Sequence, residues 1–206
     1  MAIGSGGGGG SLIYLPPTAR QKHAGSHWLY DETTGDIVGV KDPDGSEFFF
    51  ARAAHFASFY DTTDQAGVAN AIQQMSFNTT SISFGVSVVD GSKIKVSRDG
   101  VYNIQFSAQF ENSDVQEQDV SIWLRHNGVD VPQSNSFVGV VASHGGTPGH
   151  CIPSWNFYEL MSAGDYIQLC WSSPSASVSI QAIPAQTSPV RPATPSIILT
   201  INEVAA

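Results

Sequence analysis

Basic residues are scarce in this chain of 206 residues: 9 Lys and Arg stand against 18 Asp and Glu, for a net charge of −9. Neutralising phosphates takes cations, so the deficit argues against a nucleic-acid groove and against a polybasic membrane contact. Long apolar runs are missing too, and none approaches the ~20 residues that cross a bilayer. The opening MAIGSGGGGGS has neither the basic nor the apolar region of a signal peptide, so synthesis in a cytosol without export by the common route is expected. Cysteine is limited to Cys151 and Cys170. They fit a reduced pair of small core residues, and two cysteines alone make no zinc site. Asn78-Thr79-Thr80 matches a glycosylation sequon, taken as chance in a protein that stays out of a secretory path.

Catalytic signatures are absent as well. No Gly-x-Ser-x-Gly elbow and no His-Glu-x-x-His pair occurs,. Gly6 to Gly10 are spaced like a phosphate loop, but no strand precedes them and no Gly-Lys-Ser/Thr follows. His144-Gly145-Gly146 has the letters of an oxyanion loop without a nucleophile motif, and His144 and His150 are poorly spaced as metal ligands. Asp42-Pro43-Asp44-Gly45 opens like a calcium loop but lacks the bidentate Glu that completes one. The expectation is a protein that is not an enzyme and has no cofactor.

Turn residues and strand formers fill the chain instead, with 20 Gly and 11 Phe. Residues 1–26 read as a flexible Gly-rich leader and an extended arm. Leu12, Ile13, Tyr14 and Leu15 form an apolar docking patch there, ahead of Pro16-Pro17,. Residues 27–52 read as a small β attachment module, with strand-like runs at Trp28–Tyr30, Ile37–Val40 and Phe48–Phe50 separated by strong turn signals,. Residues 53–206 read as one all-β domain. Within it, Tyr102, Ile104, Phe106, Ala108 and Phe110 share one strand face, and Val120, Ile122 and Leu124 another,. Ile82, Phe84, Val86 and Val88 are expected to form a third inward row before the Asp90-Gly91 hairpin,. The segment Glu111–Asp119 reads as an acidic connection, and Pro184–Pro195 as a long loop. Only Val68–Gln74 suggests a helical period. Eight to ten such strands predict a β-sandwich or jelly roll.

The stretches "DGVYNIQFSAQF", "VSIWLRHNGVDV", "YELMSAGDYIQLCW" and "SIILTINEV" resemble the globular head of the C1q/TNF-like superfamily. The matching positions are Gly100, Tyr102, Ile104 and Phe106; then Asn127 and Gly128; then Leu160, Gly164, Asp165, Ile167 and Leu169. The resemblance covers residues ~56–204 and implies a ten-stranded jelly roll, a homotrimer, and a binding or assembly role without catalysis. It departs from the animal members of the family in lacking both a signal and Gly-X-Y repeats. The N-terminal part, with "LYDETTGDIVGV", looks like the turn-rich attachment segments of tailed-phage virion proteins. Together these imply a phage structural protein of decoration, fibre or knob type, made in the host cytoplasm, whose partners are itself and a capsid or tail protein.

Trp123 and Tyr166 point away from the inward rows. Apolar side chains on both faces of a strand make them the expected trimer interface, the alternative being cover from loops of the same chain. Asp114, Glu117, Asp119, His144 and His150 are the candidates for ligand loops. On them rests an alternative function, a receptor-binding lectin or adhesin that recognises a host glycan or holds a cation.

Overall fold

A computed structural model of the chain describes residues 25–30, 37–49 and 53–205. The expected docking patch, Leu12 to Leu15, lies outside the described residues, as does Phe50. The chain divides into two compact units, Met1–Ala53 and Ala54–Ala206.

In the first unit, β1 (His27–Tyr30), β2 (Ile37–Lys41) and β3 (Glu47–Phe49) form an antiparallel meander in that order. Its register sets Trp28, Val40 and Phe48 side by side. Asp42 and Asp44 shape the β2–β3 turn. Asp42 Oδ1 accepts the Ser26 hydroxyl at 2.8 Å, and Asp44 Oδ1 accepts the Ser46 N–H at 2.9 Å. The calcium-like letters therefore serve as hairpin chemistry.

Ten longer strands build the second unit. They are β4 (Phe56–Asp61), β5 (Thr79–Phe84), β6 (Val86–Val89), β7 (Lys93–Val96), β8 (Gly100–Ala108), β9 (Gln118–His126), β10 (Ser136–Val140), β11 (Ser154–Met161), β12 (Tyr166–Ser172) and β13 (Ile197–Ala205). One sheet runs β11-β8-β13-β4-β5 and the other β10-β9-β12-β7-β6, every pairing antiparallel. This is a jelly-roll sandwich, with the chain passing repeatedly between the two sheets. Short strands at 110–112, 149–151, 178–180 and 65–66 add a small third sheet.

The core forms where the period-2 rows meet. Tyr102, Ile104, Phe106, Ala108 and Phe110 are buried, and across the sandwich so are Val120, Ile122, Leu124, Ile167, Leu169 and Trp171. Phe110 and Trp171 pack edge to face at 5.3 Å between centroids,. The Asp90-Gly91 and Asn127-Gly128 turns have both central residues at positive φ (50° and 73°; 48° and 82°), the backbone that matches the right-handed twist of the flanking strands,. Near the chain end, buried Glu203 pairs with the Arg98 guanidinium and accepts the His55 N–H at 2.9 Å, tying β13 to the start of β4. Burial pushes the Glu203 carboxyl up, but those donors outweigh it and hold the group below its ordinary value,.

Four local expectations need correction. Ile82 and Phe84 do not join Val86 in one inward row: they are 55% and 49% exposed, while Val86 is buried. Gly85 stands between them at φ +69°, and a Cβ there would lie 2.4 Å from the His55 ring. The chain turns at this glycine and leaves one sheet for the other. Val68–Gln74 is not helical. Asn70, at φ 57°, sits in a turn, and Gln73-Gln74 pair with β12 as a short strand. The acidic connection is shorter than expected, because Phe110–Asn112 and Gln118–Asp119 belong to strands. The proline-rich loop carries a small hairpin, with Gln186-Thr187 paired to Val190-Arg191.

Candidate functional site

Two stretches that carry the family resemblance meet at one end of the sandwich. The turn after β9 places the Asn127 side chain against the turn before β12. Its amide donates to Asp165 Oδ1 at 2.7 Å, and its carbonyl accepts the Tyr166 N–H at 3.0 Å. Asp165 Oδ2 accepts the Ser162 N–H at 2.8 Å, and Asp99 Oδ1 accepts the Ala163 N–H at 2.6 Å. Each motif residue thus satisfies backbone groups that a tight turn would leave open. The Asn127 amide, followed by the Ser162 N–H, holds the Asp165 carboxyl below its ordinary value.

His126 completes this end. It takes the inward position that follows Val120, Ile122 and Leu124 on β9, opposite Ile167. Glu159 takes the matching position on β11, opposite Tyr102, whose ring is buried. The imidazole therefore lies between two carboxylates. Its Nδ1 is 3.0 Å from Glu159 Oε1, and its Nε2 is 3.2 Å from Asp165 Oδ2. A shallow cleft of about 350 Å³ opens beside it, lined also by Val129, Val131, Pro132 and Asp130. Asp130 Oδ1 accepts Arg125 Nε–H at 2.7 Å and Trp123 Nε1–H at 2.8 Å, which hold its carboxyl below the ordinary value. Asp130 and Asp165 thus already accept from donors in the chain, and Glu159 faces the His126 ring. Both ring nitrogens of His126 face carboxylates, so neither is placed to take a proton from a hydroxyl. The arrangement links strands of both sheets through side chains.

Trp123 and Tyr166 do point outward, as the alternation predicts. Trp123 lies directly across from Cys170, and Lys93 Nζ stands 5.2 Å from the Tyr166 ring centre. Both are intermediate in exposure. Cys170 beneath them is fully buried, and burial pushes its thiol up to about 11,. Both cysteines are free thiols.

The loop candidates are spread out. Asp114 accepts the Gln116 N–H and the Gln118 amide, shaping its own loop, and its carbonyl accepts the Ser143 N–H at 2.7 Å. Glu117 lies over Gly139, and Asp119 pairs with that glycine. His144 opens an exposed tight turn closed by Thr147, and exposed His150 pairs with Glu111. Among the described residues no three His, Cys, Asp or Glu side chains gather to hold a metal ion. The sequon asparagine is also occupied: the Asn78 amide donates to Asp61 Oδ1 and to Thr62 Oγ1, each at 3.0 Å.

His126 and Glu159 escaped the sequence reading. The available signal was a titratable residue at an inward position of a strand whose other inward residues are apolar, on each of two strands.

No family model matches the chain, and no curated protein does. Among solved structures it is similar to a crystal structure of murine APRIL at pH 8.5. The identity is 11% with 74% of this chain and all of that chain covered, at a TM-score of 0.44.

Proposed function

We propose that the chain is a non-catalytic structural protein of a tailed-phage virion. An N-terminal part docks to a capsid or tail protein, and a self-associating jelly-roll head decorates or stabilises the particle or touches the host surface. The observation that carries self-association is the outer face of the sheet β11-β8-β13-β4-β5. At one edge Leu160 and Tyr158 are 74% and 64% exposed; at the other, Phe84, Ile82 and Phe56 are exposed. Polar side chains such as Asn103, Gln105, Thr200 and Asn202 fill the strands between, on the same face. Two different apolar flanks on opposite edges suit a head-to-tail contact, the flank of one copy against the opposite flank of the next, which gives a ring where the rotation closes. The resemblance to C1q/TNF-like heads supplies the number three. We assign the interface to these flanks rather than to Trp123 and Tyr166, because the flanking side chains are the more exposed.

The docking role rests on the sequence of the arm and on the small meander. Trp28 and Phe48 flank Val40 in one cross-strand row and are 39% and 37% exposed, and three short strands bury little by themselves,. The virion assignment rests on the turn-rich N-terminal sequence.

Leu160→Asp and Phe84→Asp, one on each flank, are the test. Each should lower the molecular mass in solution while leaving the β-sheet circular dichroism unchanged. Full-sized assemblies from both variants would overturn the interface. Chelator-sensitive glycan binding through residues 111–119, 143–151 and 184–195 would favour the adhesin alternative, and polysaccharide hydrolysis would refute the non-catalytic reading.

A further inference from the structure

We propose that His126 and Glu159 share one proton as a latch between the two sheets, so that this end of the sandwich tightens in acid and loosens as the proton leaves. Asp165 is fixed as an acceptor, because the Asn127 amide and the Ser162 N–H both point at its carboxylate. The ring nitrogen facing it, Nε2 at 3.2 Å, must therefore carry a hydrogen,. That leaves Nδ1, 3.0 Å from Glu159 Oε1. Either the ring donates to a carboxylate, or a protonated Glu159 donates to the ring. In both cases one proton lies between the two groups and belongs to the pair. Without it, a ring lone pair faces a carboxylate lone pair at hydrogen-bond distance.

The groups facing His126 are Glu159 from β11 and Asp165 from the turn before β12. Asp130 lines the same cleft, already bound by Arg125 of β9. The imidazole is thus faced by carboxylates from both sheets. Its position makes the proton a coupling element: β9 and β11 belong to opposite sheets, and these two side chains meet across the gap between them. The latch stands independently of the proposed assembly.

The test uses the full chain, unfolded in urea at about pH 5.5 and about pH 8.5, the range in which an imidazole titrates. Wild type should lose more stability on going to the higher pH than either His126→Asn or Glu159→Gln. The excess reads as a larger rise in the unfolding constant of wild type than of either variant. Equal pH dependence in all three proteins would overturn the latch. Should a variant fold poorly, NMR of the native protein decides. The His126 ring and Glu159 carboxyl signals of wild type should move together with one midpoint. Independent midpoints would overturn the shared proton.

Discussion

Removing the Asn127 side chain should cost the head about 3 kcal/mol, and the loss can be split into parts. Asn127→Ala deletes the donor to Asp165 and the acceptor for the Tyr166 N–H. Both bonds lie at the surface, where water competes, so each is worth about 1 kcal/mol rather than the larger value of a buried charged bond. Alanine would also have to sit at the φ of 48° that Asn127 adopts, for about 1 kcal/mol more,. Asn127→Gly loses the same two bonds but accepts that backbone freely, so its loss should be about 2 kcal/mol. Urea unfolding at neutral pH measures both. Equal losses in the two variants would refute the backbone share, and midpoints indistinguishable from wild type would refute the clasp altogether. Acid gives an independent check. Asp165 is depressed first by the Asn127 amide, so its contribution is present above the ordinary carboxylate range and is lost as pH falls through the folded value,. Both variants should therefore lose less stability than wild type between neutral and acid pH.

Gly85→Ala combines a positive φ with a Cβ 2.4 Å from the His55 ring, so it should destabilise the head by at least about 2 kcal/mol, measured by urea unfolding,. A neutral alanine would mean the chain does not turn there as described. Glu203→Gln should cost about 2–3 kcal/mol at neutral pH, because it removes a mostly buried negative charge that pairs with Arg98 and accepts the His55 N–H,. The Glu203 carboxyl is held low, so the gap between wild type and variant should be full above the ordinary carboxylate range and close as pH falls through the folded value,. A gap that persists unchanged in acid would contradict that origin.

The two long strands β8 and β9 were legible because their side chains alternate without interruption, and a period of two assigns every residue to a face. The hairpins at Asp90-Gly91 and Asn127-Gly128 were legible for a related reason: few dipeptides accept two successive positive φ values,. Where the sequence misled, it ran continuous across a change of direction. Ile82, Phe84 and Val86 keep one period in the letters, yet the backbone at Gly85 sends the first two to the outside. Trp123 and Tyr166 show a subtler limit. Alternation reveals which way a side chain points but not which neighbours it meets, here Asp130 at the Trp123 indole and Lys93 at the Tyr166 ring. His126 was hidden because it ends an apolar row, where a polar residue looks like an ordinary strand end, and Glu159 because it sits singly between apolar Phe157 and Met161. Their meeting depends on the distance between two sheets, which no local pattern encodes.

Self-association of the head decides between a lone sandwich and a repeated subunit, and absolute mass by light scattering over a dilution series reads it directly. The full chain should give three times its mass of 21.9 kDa, with Leu160→Asp falling towards a single chain,. A wild-type protein that stays at one chain mass at every concentration would contradict the interface and leave its two apolar flanks without a partner of their own kind.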